Sequence, residues 1–156
     1  MNNISPSVGI ARQIFESKRT VISVDFDETL FSLSDEKVGM LWAASEVLIP
    51  NKVIHDLIHA KHEDGCIIDI VTSRNEWGLE EINVHVEEYN LPIRKVHYTS
   101  GKSKTSILKK INSALHIDDN LAVGVDCKTN NIPFLLVDDG RHLNNSTAEF
   151  FERIRI

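Results

Sequence analysis

Five short apolar runs, separated by segments with helical spacing, constrain this chain more than any other feature. They are TVISVD (20–25), IIDIVT (67–72), KVHYT (95–99), ALHID (114–118) and PFLLVD (133–138), rich in β-branched residues and in several cases apolar on both faces. A strand that is hydrophobic on both faces belongs in a parallel sheet covered by helices on each side, because a sheet with one wet face alternates instead. The intervening segments supply the helices. Asn51 opens one in which Val53, Ile54, Leu57 and Ile58 share a face and Gly65 is the stop. Leu79, Ile82, Val86 and Tyr89 form a stripe that ends at Asn90 and Pro92, and Ile107, Leu108 and Ile111 follow a Ser103 cap. Phe150, Phe151 and Ile154 mark a closing helix, and residues 1–19 a leading one. Such alternation predicts an open parallel α/β sheet in a three-layer αβα arrangement. Residues 32–49 have no readable period. One domain over 1–156 accounts for the whole chain.

The strand ends carry the chemistry. In a doubly wound sheet the loops at the carboxyl ends of the strands build the site. Asp25 ends the first run, Thr72 the second, Asp118 and Asp119 the fourth, and Asp138 and Asp139 the fifth, while Lys102 and Lys104 precede the fourth. In DFDET, Asp25 and Asp27 bracket a tight turn and can face one pocket. With Asp118 they make three anions, which do not stay ionised together without a cation. An all-oxygen set of few carboxylates suits Mg²⁺. A lysine and the Thr72 hydroxyl then offer what a transferring phosphoryl group requires, namely charge neutralisation and positioning. One carboxylate can attack phosphorus while the other handles the leaving-group proton.

Composition narrows the setting. Hydrophobic residues make up 42% and charged residues 26%, and the net charge of −6 argues against nucleic-acid binding through the overall field. No apolar run is long enough to span a bilayer, and the N-terminal stretch lacks the pattern of a signal peptide. Cys66 and Cys127 form no metal-spacing motif, so a reduced, cytoplasmic protein is expected.

Four segments in order resemble the haloacid dehalogenase-like phosphohydrolases. They are VISVDFDETL, IDIVTSR, the lysine-bearing GKSKTSILKK, and the strand ending in paired acids, LHIDDN. The resemblance implies a five-stranded sheet of order 5-4-1-2-3. It implies that Asp25 is a nucleophile that becomes an aspartyl-phosphate and that Asp27 is the acid and base. It gives Thr72 a hydrogen bond to a phosphoryl oxygen and the lysine the developing charge. Mg²⁺ would be held by Asp25, Asp118 and the Asp27 carbonyl, with Asp119 acting through water or by orienting the lysine. Lys104, at a helix start, is preferred over Lys102, on the preceding turn, as the motif lysine. The pair in LHIDDN is preferred over LLVDDG, whose Asp138 and Asp139 are expected near the rim. Ser73, Arg74 and Lys102 join Thr72 as expected substrate contacts; a surface role for Arg74 competes.

Neither interval between these motifs has room for a folded cap domain, so the chain resembles the capless subgroup. An open site must be closed by the substrate, by a second subunit of a homo-oligomer, or by residues 32–49 acting as a flap. Substrates too large to be enclosed follow, such as nucleic-acid ends or phosphoproteins, and small nucleotides where a second subunit supplies a wall; a nucleotide or polynucleotide end is the leading expectation. Trp77 is expected to pack, with a stacking platform on the rim as the competing reading. His55, His59 and His62 share a helix face beside the apolar stripe, which favours packing over zinc. Phosphotransfer to an acceptor other than water, a receiver-type signalling module and a silent phosphate-binding module are the rival functions.

Overall fold

The computed structural model describes residues 19–33 and 47–156. The leading helix expected over 1–19 and most of the segment expected as a flap lie outside them. The main sheet is built from β1 (Val21–Val24), β4 (Ile67–Thr72), β5 (Ile93–Tyr98), β6 (Ser113–Asp118), β7 (Phe134–Asp138) and β8 (Glu152–Arg155). Its order is β5-β4-β1-β6-β7-β8, with every neighbouring pair parallel. β1 lies at the centre, with Val24 beside Ile70 of β4 on one side and Ile117 of β6 on the other. Its four residues are all buried, as the unbroken apolar run requires.

The sheet therefore has six strands where five were expected. The extra one, β8, lies where the closing helix was expected. Asn145 caps only a short 3₁₀ turn, Ser146–Phe150, and the chain then extends. ERIRI alternates polar and apolar residues with the period of a strand, and Phe151 packs on Phe134 with ring centroids 5.5 Å apart rather than joining a helical stripe. The charged residues of β8 suit an edge. A separate antiparallel pair, β2 (Phe31–Leu33) with β3 (Leu48–Pro50), brackets the undescribed segment.

Helices cover both faces. α1 (Lys52–Glu63) and α2 (Leu79–Glu88) bury Ile54, Ile58 and Ile82 against Val24, Ile68 and Ile117. α3 (Thr105–Lys110) and α4 (Leu121–Thr129) bury Leu108 and Cys127 against Val71 and Leu136 on the other face. This is the three-layer arrangement. Val53, expected on the buried face of α1, is instead exposed. Asn51 stands at the N-cap of α1 without a side-chain cap bond; its amide donates to the Thr29 carbonyl at 2.8 Å and so ties the helix to the loop after β1.

Candidate active site

The loop after β1 is held from below by its own apolar residues. Phe26, Leu30 and Phe31 are essentially inaccessible, and Phe31 sits in an aromatic cluster with Phe26, His55, His85 and Tyr89 at centroid distances of 5.0–5.2 Å. The Phe26 carbonyl accepts from the amides of Leu30 (3.1 Å) and Phe31 (3.2 Å), which closes the turn. Glu28 takes a left-handed backbone at φ 58°, an uncommon conformation for a residue with a side chain and one concentrated at functional turns. The His55 Nε2 lies 2.9 Å from the Leu30 carbonyl, so this histidine supports the turn.

Asp25 continues the sheet, its amide donating to the Ile117 carbonyl of β6 at 2.9 Å. That bond fixes it beside the end of β6, where Asp118 and Asp119 emerge. The Lys104 ammonium, at the N-cap of α3, donates to Asp25 Oδ1 at 2.9 Å and to Asp118 Oδ2 at 2.7 Å. All three residues are buried. Of the two candidate lysines, Lys104 points inward, whereas Lys102 is exposed on the preceding turn and does not line the cleft. Thr29 fills the remaining corner, its hydroxyl 3.3 Å from Asp25 Oδ2 and 3.1 Å from Asp119 Oδ1, while accepting the Asp119 amide at 3.2 Å.

A buried polar chain runs behind this cluster. His116 Nε2 is 3.0 Å from Asp118 Oδ2, His116 Nδ1 is 2.8 Å from Ser23 Oγ, and Ser23 Oγ is 2.7 Å from Ser113 Oγ. Burial holds the His116 imidazole below its ordinary pKa. A neutral ring has one N–H, and the arrangement that satisfies both ends has Nε2–H donating to the Asp118 carboxylate and Nδ1 accepting from the Ser23 hydroxyl.

The carboxyls respond differently to their surroundings. Burial, then the Asp118 charge, push Asp25 well above the usual carboxyl pKa, and Lys104 only partly offsets them. Burial also opposes ionisation of Asp118, but the hydrogen bond from His116 and the charge of Lys104 outweigh it and hold this carboxyl well below the usual range. Asp119 is raised, by burial first and then by Asp118. Lys104 is raised: burial disfavours its charge, but Asp25 and Asp118 more than compensate. Two raised acids beside an ionised one describe a cluster short of positive charge.

Asp25, Asp118 and Asp119 each offer an oxygen, all within 4.8 Å of one another. The donors are all hard carboxylate oxygens, which fit a hard divalent cation rather than a thiophilic or imidazole-preferring metal. These residues line a cleft of about 450 Å³ together with Asp27, Glu28, Ser73, Lys104, Asn120, Arg141 and His142.

Other expected site residues lie differently. Arg74, expected at the substrate, grips Asp27 through Nε (2.8 Å) and Nη2 (2.7 Å), reaches Glu81 at 2.7 Å through Nη1, and lies over the Phe26 ring. Thr72 is fully buried and accepts the Arg74 amide at 3.2 Å; the adjoining Ser73 is the hydroxyl residue that lines the cleft. Asp138 is buried and accepts the Gly140 amide at 2.9 Å, Asp139 pairs with Arg141, and neither is among the residues that line the cleft. Thr29, His116, Arg141 and His142 carry no role in the sequence reading. Arg141 donates to Asp119 Oδ2 at 2.6 Å, and His142 Nε2 lies 3.1 Å from the Asp119 carbonyl. Their signal was a basic pair following a strand-end glycine, which the sequence alone does not separate from an ordinary turn.

No family model matches the chain, and no curated protein does. Among solved structures, a Vibrio cholerae protein provisionally assigned as a 3-deoxy-D-manno-octulosonate 8-phosphate phosphatase superposes with a TM-score of 0.52 at 16% identity, covering 98% of this chain and 80% of that one. At that identity the likeness establishes the fold alone: this chain shares the α/β architecture of that structure, a parallel sheet covered by helices.

Proposed function

We propose that the protein is a Mg²⁺-dependent phosphomonoesterase that works through an aspartyl-phosphate, with a nucleotide or polynucleotide end as substrate. One observation carries the reading: Lys104 bridges Asp25 and Asp118 inside a cleft that also holds Asp119, so anionic oxygens and a buried ammonium converge from three separate loops. Structural ion pairs have no need of such a cleft.

Asp25, Asp118, Asp119 and the Asp27 carbonyl would hold the metal, which when bound supplies charge neutralisation to the phosphoryl oxygens and to the crowded carboxylates. The Asp25 oxygen attacks phosphorus as the bond from phosphorus to the substrate oxygen breaks. Asp27 gives that oxygen its proton, then takes one from the water that attacks the acyl phosphate and frees Asp25. Lys104 and a hydroxyl at Thr72 or Ser73 stabilise the equatorial oxygens. Arg74 orients Asp27, and protonating the leaving oxygen requires the Asp27 carboxyl to leave its two-bond pairing with Arg74. The chain acts as one capless domain, the open cleft leaving room for a large substrate or for a second subunit to complete its wall. The unpaired Cys66 and Cys127 support a reducing, cytoplasmic site of action.

The experiment is release of phosphate from p-nitrophenyl phosphate. Turnover should require Mg²⁺, stop with EDTA, and vanish in Asp25→Asn. Undiminished hydrolysis by Asp25→Asn removes Asp25 as nucleophile.

A further inference from the structure

Trp77 is 93% exposed, more than any other large hydrophobic residue among those described. Tryptophan gains more from burial than most side chains, so an indole left wholly in water is unusual for a residue with a purely structural task. Its backbone is nonetheless fixed. Trp77 lies in the 3₁₀ turn Glu76–Gly78, where the Asn75 side chain accepts the Trp77 amide at 3.1 Å and the Asn75 carbonyl accepts the Gly78 amide at 3.1 Å. Beneath the turn lies the Arg74 side chain, so close that a Cβ on Gly78 would stand 3.0 Å from Arg74 Cδ. Arg74 is itself clamped by Asp27 and Glu81. The expectation that Trp77 packs is therefore corrected: the indole is held out on a rigid mount.

It is one of the residues lining a second cleft, of about 510 Å³, with Ser73, Arg74, Asn75, Gly78 and Ser100. Ser73 lines the carboxylate cleft as well, so the two adjoin at that residue. No carboxylate lines the second cleft. It offers one large π face, two hydroxyls, an amide and a guanidinium edge. A planar ring with hydrogen-bonding edges matches that inventory, and a ring tethered to a phosphate could reach both clefts at once.

From this arrangement we infer that Trp77 is the stacking platform for the nucleobase of the substrate, with the phosphate in the adjoining carboxylate cleft. The inference rests on the phosphatase reading for its second half. The ligand is a phosphomonoester on a nucleobase-bearing sugar, whether a free nucleotide or the end of a single strand.

The test compares kcat/KM for nucleoside monophosphates and for ribose 5-phosphate, which lacks the base, in the full-length protein and in Trp77→Ala and Trp77→Phe. The nucleotide-to-ribose-phosphate ratio should fall about tenfold in Trp77→Ala, from the loss of one base stack, and recover in large part in Trp77→Phe. An unchanged ratio overturns the inference, as does an equal loss for both substrates. Run in parallel with a 3′-phosphorylated oligonucleotide, the loss appears in whichever arm supplies the base, and its absence from both arms is again a refutation. Binding is read independently in Asp25→Asn carrying Trp42→Phe, where Trp77 is the sole indole. Nucleoside monophosphate should quench its fluorescence more strongly than ribose 5-phosphate does. Such a quench in a protein whose parent hydrolyses neither compound keeps the stacking site and rejects the phosphatase; hydrolysis of both compounds with no quench and no selectivity does the reverse.

Discussion

Replacing Lys104 with methionine keeps a long, flexible side chain in the core and deletes the cation that bridges Asp25 and Asp118. The Lys104 side chain is 3% exposed and those of Asp25 and Asp118 are 9% and 0% exposed, so solvent does little to screen the pair. Removing one partner from a buried ion pair costs about 3–5 kcal/mol, because the remaining charges are left uncompensated. At about 2–4 °C per kcal/mol for a domain of this size, the metal-free variant should melt about 6–20 °C below the parent near neutral pH. The deficit should also depend on pH. The Asp25 pKa is already raised above the usual 3.8 by burial and by Asp118, and losing Lys104 raises it further. A carboxyl whose folded pKa exceeds its unfolded one binds extra protons when folded, so its contribution favours folding at low pH and is lost as pH climbs through that window. The deficit should accordingly widen as pH rises through the window in which Asp25 ionises, the part owed to ionised Asp118 persisting to lower pH, and Mg²⁺ should reduce it by binding the folded state. Thermal and urea unfolding in EDTA across that range is the assay. A variant as stable as the parent at neutral pH, or a deficit that does not change with pH, refutes the electrostatic account of the cluster.

Three further outcomes follow from separate parts of the structure. His116→Ala removes the donor to Asp118 and should weaken divalent-metal affinity about 10–100-fold, read by calorimetric titration with Mg²⁺ or Mn²⁺. Gly124→Ala adds a good helix former to α4, yet its Cβ would stand 2.7 Å from Phe134 Cε1, so overpacking should outweigh propensity and destabilise by about 1–3 kcal/mol in urea unfolding. Asp69 is wholly buried in β4 and paired with Arg94 and His97; burial opposes its ionisation, but the Arg94 bonds prevail and depress its pKa, so its contribution is present above the unfolded value and lost as pH falls through the folded one. Asp69→Asn should cost about 1–3 kcal/mol at neutral pH and flatten the acid limb of the stability profile below about pH 4.

The parts legible in sequence were those where one physical demand fixed one pattern. Buried parallel strands need apolar residues on both faces, so the runs around β1, β4, β6 and β7 could be read directly, and Asp25, Asp118 and Asp119 followed from where those runs stop. Lys104 was separable from Lys102 because only a residue at the start of α3 turns back toward the sheet. Trp77 was misread because its 3₁₀ turn interrupts the helical period just before α2, which puts it off the stripe that Ile82 and Val86 continue. β8 was misread because two phenylalanines imitate a helix face beside a short alternating tail. His116 was invisible for a different reason: in a strand buried on both faces no periodicity marks which polar residue is wired to the site.

The claim at the centre of this account is that phosphorus is transferred to Asp25. Reacting the protein with p-nitrophenyl phosphate and Mg²⁺, quenching in acid, reducing the acyl phosphate with borohydride and mapping the modified peptide tests it most directly. The account expects label on Asp25, dependent on Mg²⁺ and absent from Lys104→Met at matched substrate concentration. Label confined to Asp27 or to another residue, or full turnover with no trapped acyl phosphate at Asp25, would contradict it.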